Sequence, residues 1–118
     1  MLDFRLQGGA RYAVARLDGI VSLDAWQSVL ERLEAALQAS AAPSRLVIDM
    51  RSVLGYLGTP ERRMVGTLMA QRFAACEKLA VVVQAQKITD VVSGEARRHG
   101  LELRLFPDFD DAIAWIDA

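Results

Sequence analysis

The sequence predicts an α/β domain with five strands and four helices in the order β-β-α-β-α-β-α-β-α. The first sign is a pair of alternating apolar and polar segments joined by Gly8-Gly9. The second is a pair of short segments that are apolar on both faces, residues 46–50 and 79–84. Helical patterns separate the later strands, which implies right-handed crossovers onto a mostly parallel sheet that the first hairpin makes mixed.

The first two strands are predicted to form a hairpin. Leu2, Phe4 and Leu6 alternate with polar residues, which is the two-residue period of a half-buried strand. Gly8-Gly9 suits the positive φ angles of a tight turn, and residues 11–19 return as the second strand. The first helix follows, with Ser22 as its N-cap. Its apolar stripe keeps helical spacing at Trp26, Val29, Leu30, Leu33 and Leu37.

The second helix has a clear predicted beginning. Residues 46–50 form the preceding buried strand, and Thr59-Pro60-Glu61 then combines three helix-initiating features. We expect Thr59 to be the N-cap, and Pro60 to lie at the first helical position, where its missing N–H costs no hydrogen bond. Glu61 meets the positive end of the helix dipole.

The last part of the chain continues the alternation. Residues 79–84 predict a buried strand, and residues 89–99 predict a helix that Gly100 ends. Residues 101–105 predict a strand with one solvent-exposed face. Three acidic residues then begin the last helix, and we interpret them as dipole-stabilising acids: Asp108, Asp110 and Asp111.

Composition excludes several classes of protein. The length of 118 residues suits a single domain spanning residues 1–118. A net charge of −1, from 14 basic and 15 acidic residues, argues against nucleic-acid binding and against electrostatic docking on an anionic membrane. Cys76 is the only cysteine, and the longest apolar run, residues 79–83, is too short to cross a bilayer. With no recognisable signal peptide, we expect a cytoplasmic protein.

Two segments carry a resemblance to a known family. One is the strand that ends in Asp with its continuation, Leu46-Val47-Ile48-Asp49-Met50-Arg51-Ser52-Val53. The other is the end of the chain, from Leu105-Phe106-Pro107-Asp108 through Ala112-Ile113-Ala114-Trp115-Ile116. With the element order, they resemble the SpoIIAA-like proteins, which share their fold with STAS domains and anti-sigma-factor antagonists. The resemblance is to the small stand-alone bacterial branch, covers nearly the whole chain and implies the SpoIIAA-like (STAS-type) fold.

The sequence departs from that family at one functional position. In the antagonists, a serine at the start of the helix after this strand is phosphorylated to switch partner binding. Gly58 falls where that serine is expected, and Thr59 is adjacent. The resemblance therefore implies a regulatory fold without carrying the kinase-controlled switch over to this chain.

The residues that could support catalysis or metal binding are few. Cys76 and His99 both lie at predicted helix C-termini, where the negative end of the dipole raises a thiol pKa. One His and one Cys cannot build a zinc site. The segment 55–58 lacks the Lys-Ser/Thr of a phosphate loop. We therefore predict no catalytic residues, no metal, no cofactor and no enzyme activity.

The strongest candidate binding segment is residues 53–58, between the central strand and the second helix. It is unusually apolar for a connector, and exposed apolar surface marks an interface or a ligand mouth. Alternatively, its side chains fold back onto the sheet edge. The candidate interaction residues are Val53, Leu54, Gly55, Tyr56, Leu57 and Gly58.

Four residues of the second helix are candidate anion or ligand contacts. Thr59, Arg62 and Arg63 lie at its N-terminus, where backbone N–H groups can hold an anion. Arg72 lies inside the apolar arc of the same helix. Its stem can pack while its head reaches water or a carboxylate, or its head can contact an acidic ligand.

These features predict a non-enzymatic binding or regulatory module. The first hypothesis is protein–protein interaction, including homodimerisation, through residues 53–58 and the second helix. The alternative is a carrier or sensor of a small apolar or lipid-like ligand between the helix at residues 60–76 and the sheet. An interaction module requires a closed core and an exposed apolar patch, whereas a carrier requires a cavity of about 300 Å³ or more with Arg62 or Arg72 at its mouth.

Overall fold

The computed structural model describes residues 1–40 and 43–118. Five strands form one sheet in chain order: β1 (Leu2–Gly8), β2 (Ala13–Ile20), β3 (Arg45–Leu54), β4 (Lys78–Val82) and β5 (Leu103–Phe106). The helices are α1 (Leu23–Ala39), α2 (Thr59–Arg72), α3 (Asp90–Arg98) and α4 (Phe109–Asp117), with a short 3-10 helix at Ala85–Lys87. Strand β1 is antiparallel to β2 and the other neighbours are parallel, so the predicted element order and mixed sheet are confirmed.

The sequential strand order decides where the helices pack. Each parallel crossover moves one strand further in the same direction, and right-handed crossovers then place α1, α2 and α3 on one face of the sheet. The main core lies between that face and these three helices. Helix α4 covers the opposite face of the sheet with a smaller core that contains Val47, Ala80, Val82, Ala112 and Ile116.

Several predicted helix ends are confirmed and one is wrong. Ser22 caps α1, because its Oγ accepts a hydrogen bond from the Ala25 N–H at 3.1 Å. Thr59 does not cap α2. The cap is Gly58, whose carbonyl accepts the first helical bond from the Arg62 N–H at 2.9 Å. Proline fits the second position of a helix as well as the first, since neither N–H has a partner within the helix.

Strand β3 extends further than predicted. Residues 46–50 were expected to form the strand, but it continues to Leu54 because it pairs with β2 as far as Ile20. The register shifts opposite Leu17, where β3 accommodates an extra residue as a β-bulge. The bulge interrupts the two-residue period, so residues 53 and 54 read as loop in the sequence although they are strand in the structure.

Candidate functional site

The segment 53–58 lies at the carboxyl end of β3 and divides between core and surface. Val53 is buried and Leu57 packs against the main core, whereas Leu54 is 62% exposed and Tyr56 is 67% exposed. Gly55 between them has a φ of +98°, which favours glycine and lets the chain reverse direction. Val53 and Leu57 therefore fold back onto the protein, as one alternative expected, whereas Leu54 and Tyr56 form exposed apolar surface, as the other expected.

Leu54 and Tyr56 belong to a wider apolar surface that the sequence did not reveal. Ile20, at the end of β2, is the register partner of Leu54 and is 62% exposed. Met1 lies next to Ile20, since the Met1 amino group is 3.3 Å from the Ile20 carbonyl. We call Met1, Ile20, Leu54 and Tyr56 the apolar edge patch. An apolar residue at the exposed end of a strand was the only signal in the sequence for Ile20.

Side chains from the β4–α3 connection hold this segment in place. Strand β4 ends at Val82 while β3 continues, so the later carbonyls of β3 have no strand partner on that side. Lys87 Nζ donates to the Val53 carbonyl at 3.0 Å, and Gln84 Nε2 donates to the Arg51 carbonyl at 3.2 Å. Lys87 Nζ also lies 5.0 Å from the centre of the Tyr56 ring. The exposed ring is therefore positioned by a cation–π contact.

A small cavity lies behind the patch, between α2, α3 and the sheet. Its volume is about 90 Å³, and Arg62, Lys87 and Thr89 are among the polar residues that line it. Apolar side chains make most of its wall, among them Trp26, Met50, Val65, Met69, Val81 and Leu105. The cavity occupies the position expected for a carrier but is far below the roughly 300 Å³ at which small-molecule pockets begin.

The other candidate contacts are separated along α2. Arg72 lies about 20 Å from the N-terminus of the helix, given about 1.5 Å per residue. Its Nη1 is 3.1 Å from Glu34 Oε1 and its Nη2 is 3.0 Å from Glu31 Oε1 on α1. Its head therefore joins two helices, while Thr59 and Arg63 are exposed at the start of α2.

A second polar cluster, which sequence reasoning did not predict, surrounds Asp49. Its side chain is only 7% exposed, and its Oδ2 is 2.9 Å from Arg16 Nη1 and 2.8 Å from Arg51 Nη2. Both guanidinium groups lie over the Phe109 ring, with 4.9 Å and 5.3 Å to its centre. Burial opposes ionisation, but hydrogen bonds from Arg51 and the charges of both arginines outweigh it, so the pKa of Asp49 lies below its ordinary value of 3.8.

The remaining reactive side chains have ordinary structural surroundings. Burial raises the pKa of the Cys76 thiol to about 11, so the thiol stays protonated at neutral pH. His99 Nε2 lies 3.7 Å from Glu95 Oε2, one turn earlier on α3. Within residues 1–40 and 43–118, no group of three metal-ligating side chains could hold an ion, and no helix is long and apolar enough to cross a bilayer.

Comparison with solved structures shows what the fold is similar to. An anti-sigma factor antagonist from Mycobacterium paratuberculosis is 20% identical with a TM-score of 0.68, covering 100% of this chain and 96% of that one. An uncharacterised protein with a SpoIIAA-like fold from Shewanella loihica is 17% identical with a TM-score of 0.60, covering 98% and 93%. The unphosphorylated anti-sigma factor antagonist SpoIIAA is 14% identical with a TM-score of 0.53, covering 97% and 96%.

The sequence itself identifies the family. No curated protein matches the chain. The profile of the SpoIIAA-like family matches residues 13–117, from the start of β2 to the end of α4. The family that the two quoted segments resembled is thus confirmed, and this chain belongs to the SpoIIAA-like family.

Proposed function

We propose that this protein is a non-enzymatic regulatory module that binds a protein partner through the apolar edge patch and the adjoining start of α2. The observation that carries the proposal is the clustering of exposed apolar side chains. Of the five large apolar residues that the described part of the chain exposes, Met1, Ile20 and Leu54 are neighbours through the strand pairing, and Tyr56 follows Leu54 by two residues. Two of the similar structures are named as anti-sigma factor antagonists, which supports a protein as the partner.

Two features of the patch support a protein partner: an aromatic side chain held in position and polar groups beside it. Tyr56 is a rigid aromatic anchor, since Lys87 stacks on its ring. Aromatic residues with few rotatable bonds lose little entropy on binding and are frequent interface hot spots. Lys87 and Arg62 supply polar groups next to the apolar centre. We therefore expect binding energy to concentrate at Leu54 and Tyr56.

The double substitution Leu54→Asp with Tyr56→Asp tests the proposal. Both side chains are exposed, so the variant keeps its fold, while partner affinity falls by roughly thirtyfold or more, as for other interface hot spots. Circular dichroism melts check the fold, and calorimetry with the purified partner measures the affinity. If the partner is a second copy, the same variant is a folded monomer.

Met64→Asp is the matched control. Met64 is also an exposed apolar residue and lies on α2, but outside the patch. We expect the control to bind its partner with wild-type affinity. Wild-type binding by the double variant would show that the patch is not the interface.

A second candidate function is the carriage of a small apolar ligand, favoured by the apolar cavity with Arg62 at its edge. At about 90 Å³, the cavity would have to expand by movement of α2 or α3 to take a lipid-like molecule. Native mass spectrometry of the purified protein separates the two functions. A non-covalent adduct that vanishes on denaturation supports the carrier, whereas a mass without an adduct supports the interaction module.

A further inference from the structure

Strand β1 is an edge strand whose outer side is open. Met1 and Ile20 exchange backbone bonds at 3.3 Å and 3.1 Å, and the Gly9 N–H donates to the Tyr12 carbonyl at 3.1 Å. Because bonded pairs alternate along an antiparallel ladder, odd-numbered residues of β1 direct their backbone groups towards β2. The residues that turn their N–H and C=O groups outward are therefore Leu2, Phe4 and Leu6.

The sequence of this strand is complementary to itself. Leu2-Asp3-Phe4-Arg5-Leu6 reads symmetrically about Phe4, with opposite charges on either side. If a second copy aligns antiparallel with Phe4 at the centre, Asp3 faces Arg5 of the second copy. Leu2 then faces Leu6 of the second copy, and the outward-facing backbone groups of both chains meet. One register thus satisfies hydrogen bonding, charge and apolar contact together.

Two charged residues of β1 face like charges on β2 of the same chain, and a second copy would supply opposite charges. Asp3 lies directly opposite Asp18, and Arg5 lies directly opposite Arg16. Like charges opposite each other destabilise a strand pair. Arg16 is engaged by Asp49, and Asp3 lies 3.5 Å from Arg32 Nη1, whereas Arg5 makes no ion pair with any described residue. Pairing through β1 gives Arg5 an opposite charge that it lacks within its own chain, and gives Asp3 a second one beside Arg32.

Arg32 already covers part of the edge, because its guanidinium lies 3.5 Å from the Asp3 carboxylate and 5.9 Å from the centre of the Phe4 ring. Arg32 of α1 donates from Nη2 to the Leu2 carbonyl at 2.6 Å, and no other side chain in the described residues bonds to the outward groups of residues 2–6. The two bonds of a Phe4–Phe4 pair and the Leu2 N–H remain free. Ser28 and Ala36, which lie one turn before and after Arg32 on α1, have small side chains.

We propose that two copies of this chain pair antiparallel through β1, joining their sheets into one continuous sheet. Residues 2–6 precede the family-matched residues 13–117. Leu54 and Tyr56 lie outside it. A dimer of this kind presents two apolar edge patches, one towards each end, for the partner proposed above.

Sedimentation equilibrium of the intact protein, from micromolar to near-millimolar concentration, tests the proposal. Wild type is expected to dimerise. Asp3→Arg and Arg5→Asp each place like charges across the interface, and each raises the dissociation constant about tenfold or more. Both variants keep their fold, because each creates an opposite-charge pair with Asp18 or Arg16 in its own sheet, and the Arg32 contact that Asp3→Arg removes is exposed.

Two combinations and a control complete the experiment. The double variant with Asp3→Arg and Arg5→Asp restores the dimer, and an equimolar mixture of the two single variants forms a heterodimer. Asp18→Arg changes the charge beside Asp3 without reaching the free edge, so it remains dimeric.

Three outcomes overturn the proposal. The first is a wild-type protein that stays monomeric throughout. The second is a dimer that survives both single charge reversals. The third is a dimer lost only in the Leu54→Asp and Tyr56→Asp variant, which would move self-association to the apolar edge patch. Because the edge and the patch carry separate variants, failure here leaves the proposed partner binding standing.

Discussion

The carboxylate of Asp49 bonds to one backbone N–H and to two guanidinium groups. The β-bulge in β3 leaves the Arg51 N–H without a partner in β2, and Asp49 Oδ1 accepts that N–H at 3.1 Å. The same carboxylate binds Arg16 and Arg51, whose guanidinium groups hold the Phe109 ring. Its lowered pKa reflects these bonds, so the group is ionised and structural at neutral pH.

Asp49→Asn removes the charge while keeping the shape, and we expect it to cost about 1–3 kcal/mol of unfolding free energy near neutral pH. Because the folded-state pKa of Asp49 lies below 3.8, the unfolded chain takes up the proton first as the pH falls. The contribution of ionised Asp49 to the unfolding free energy is complete above pH 3.8 and is lost as the pH drops through the folded-state pKa of Asp49. Urea unfolding of both proteins across the acid range measures this. If the difference in unfolding free energy between wild type and Asp49→Asn stays constant as the pH falls, this prediction is wrong.

At the scale of elements, α2 and α3 touch through a glycine. Gly66 is buried in α2, and a Cβ placed there would come within 2.7 Å of the Glu95 Cβ and of the Val92 carbonyl oxygen on α3. The two helices approach this closely only because the side chain is absent. Arg72 holds the opposite side of α2 to α1 through two glutamates, so α2 is fixed to both neighbours.

Gly66→Ala should therefore destabilise the protein. Overpacking costs about 1–3 kcal/mol and exceeds the gain in helix propensity of up to about 1 kcal/mol. Gly94→Ala in α3 is the matched control, because no atom of another described element lies within 4 Å of its Cβ position. There the propensity gain is unopposed, and we expect about 0.5–1 kcal/mol of stabilisation. Equal effects of the two substitutions in urea unfolding would contradict the packing argument.

At the scale of the whole molecule, the two faces of the sheet are tied together. Helix α4 has no basic residue in its last turn, so its final carbonyls are bonded by side chains from the sheet. Arg45 donates to the Ile116 carbonyl at 2.7 Å, and Lys78 donates to the Trp115 carbonyl at 3.1 Å. Because β3 and β4 contribute to both cores, we infer that residues 1–118 form one cooperative domain.

The two tryptophans report separately on the two faces. Trp26 is buried in the main core, and Trp115 packs against Phe106 beneath α4, with 5.7 Å between the ring centres. In the variants Trp26→Phe and Trp115→Phe, the fluorescence of the remaining tryptophan should follow the same urea transition as the circular dichroism of that variant. A Trp115 transition that precedes the loss of circular dichroism would show that α4 unfolds independently.

The sequence indicated which segment belongs to the candidate site, but it did not indicate all of the residues that lie beside that segment. The segment 53–58 stands out in the sequence because it is unusually apolar for a connector, and Arg62 because it lies at a helix N-terminus that can hold an anion. Residues of the segment and Arg62 line the same cavity. Ile20 could not be assigned to the patch, since only the register of β2 on β3 brings it to Leu54. Arg72 shares a helix with Arg62, but its direction depends on where α1 lies.

The sequence by itself determined the element order and most helix ends, because these depend on periodicity and capping between residues close along the chain, and its resemblance to known proteins indicated the family. Ser22 and Gly100 are examples of such helix ends. The strand order, the length of β3 and the pairing of Asp49 with Arg16 were decided only by the tertiary structure. Each depends on pairing between segments far apart in sequence, where a bulge or a distant side chain supplies the missing bond, and no local pattern records that partner.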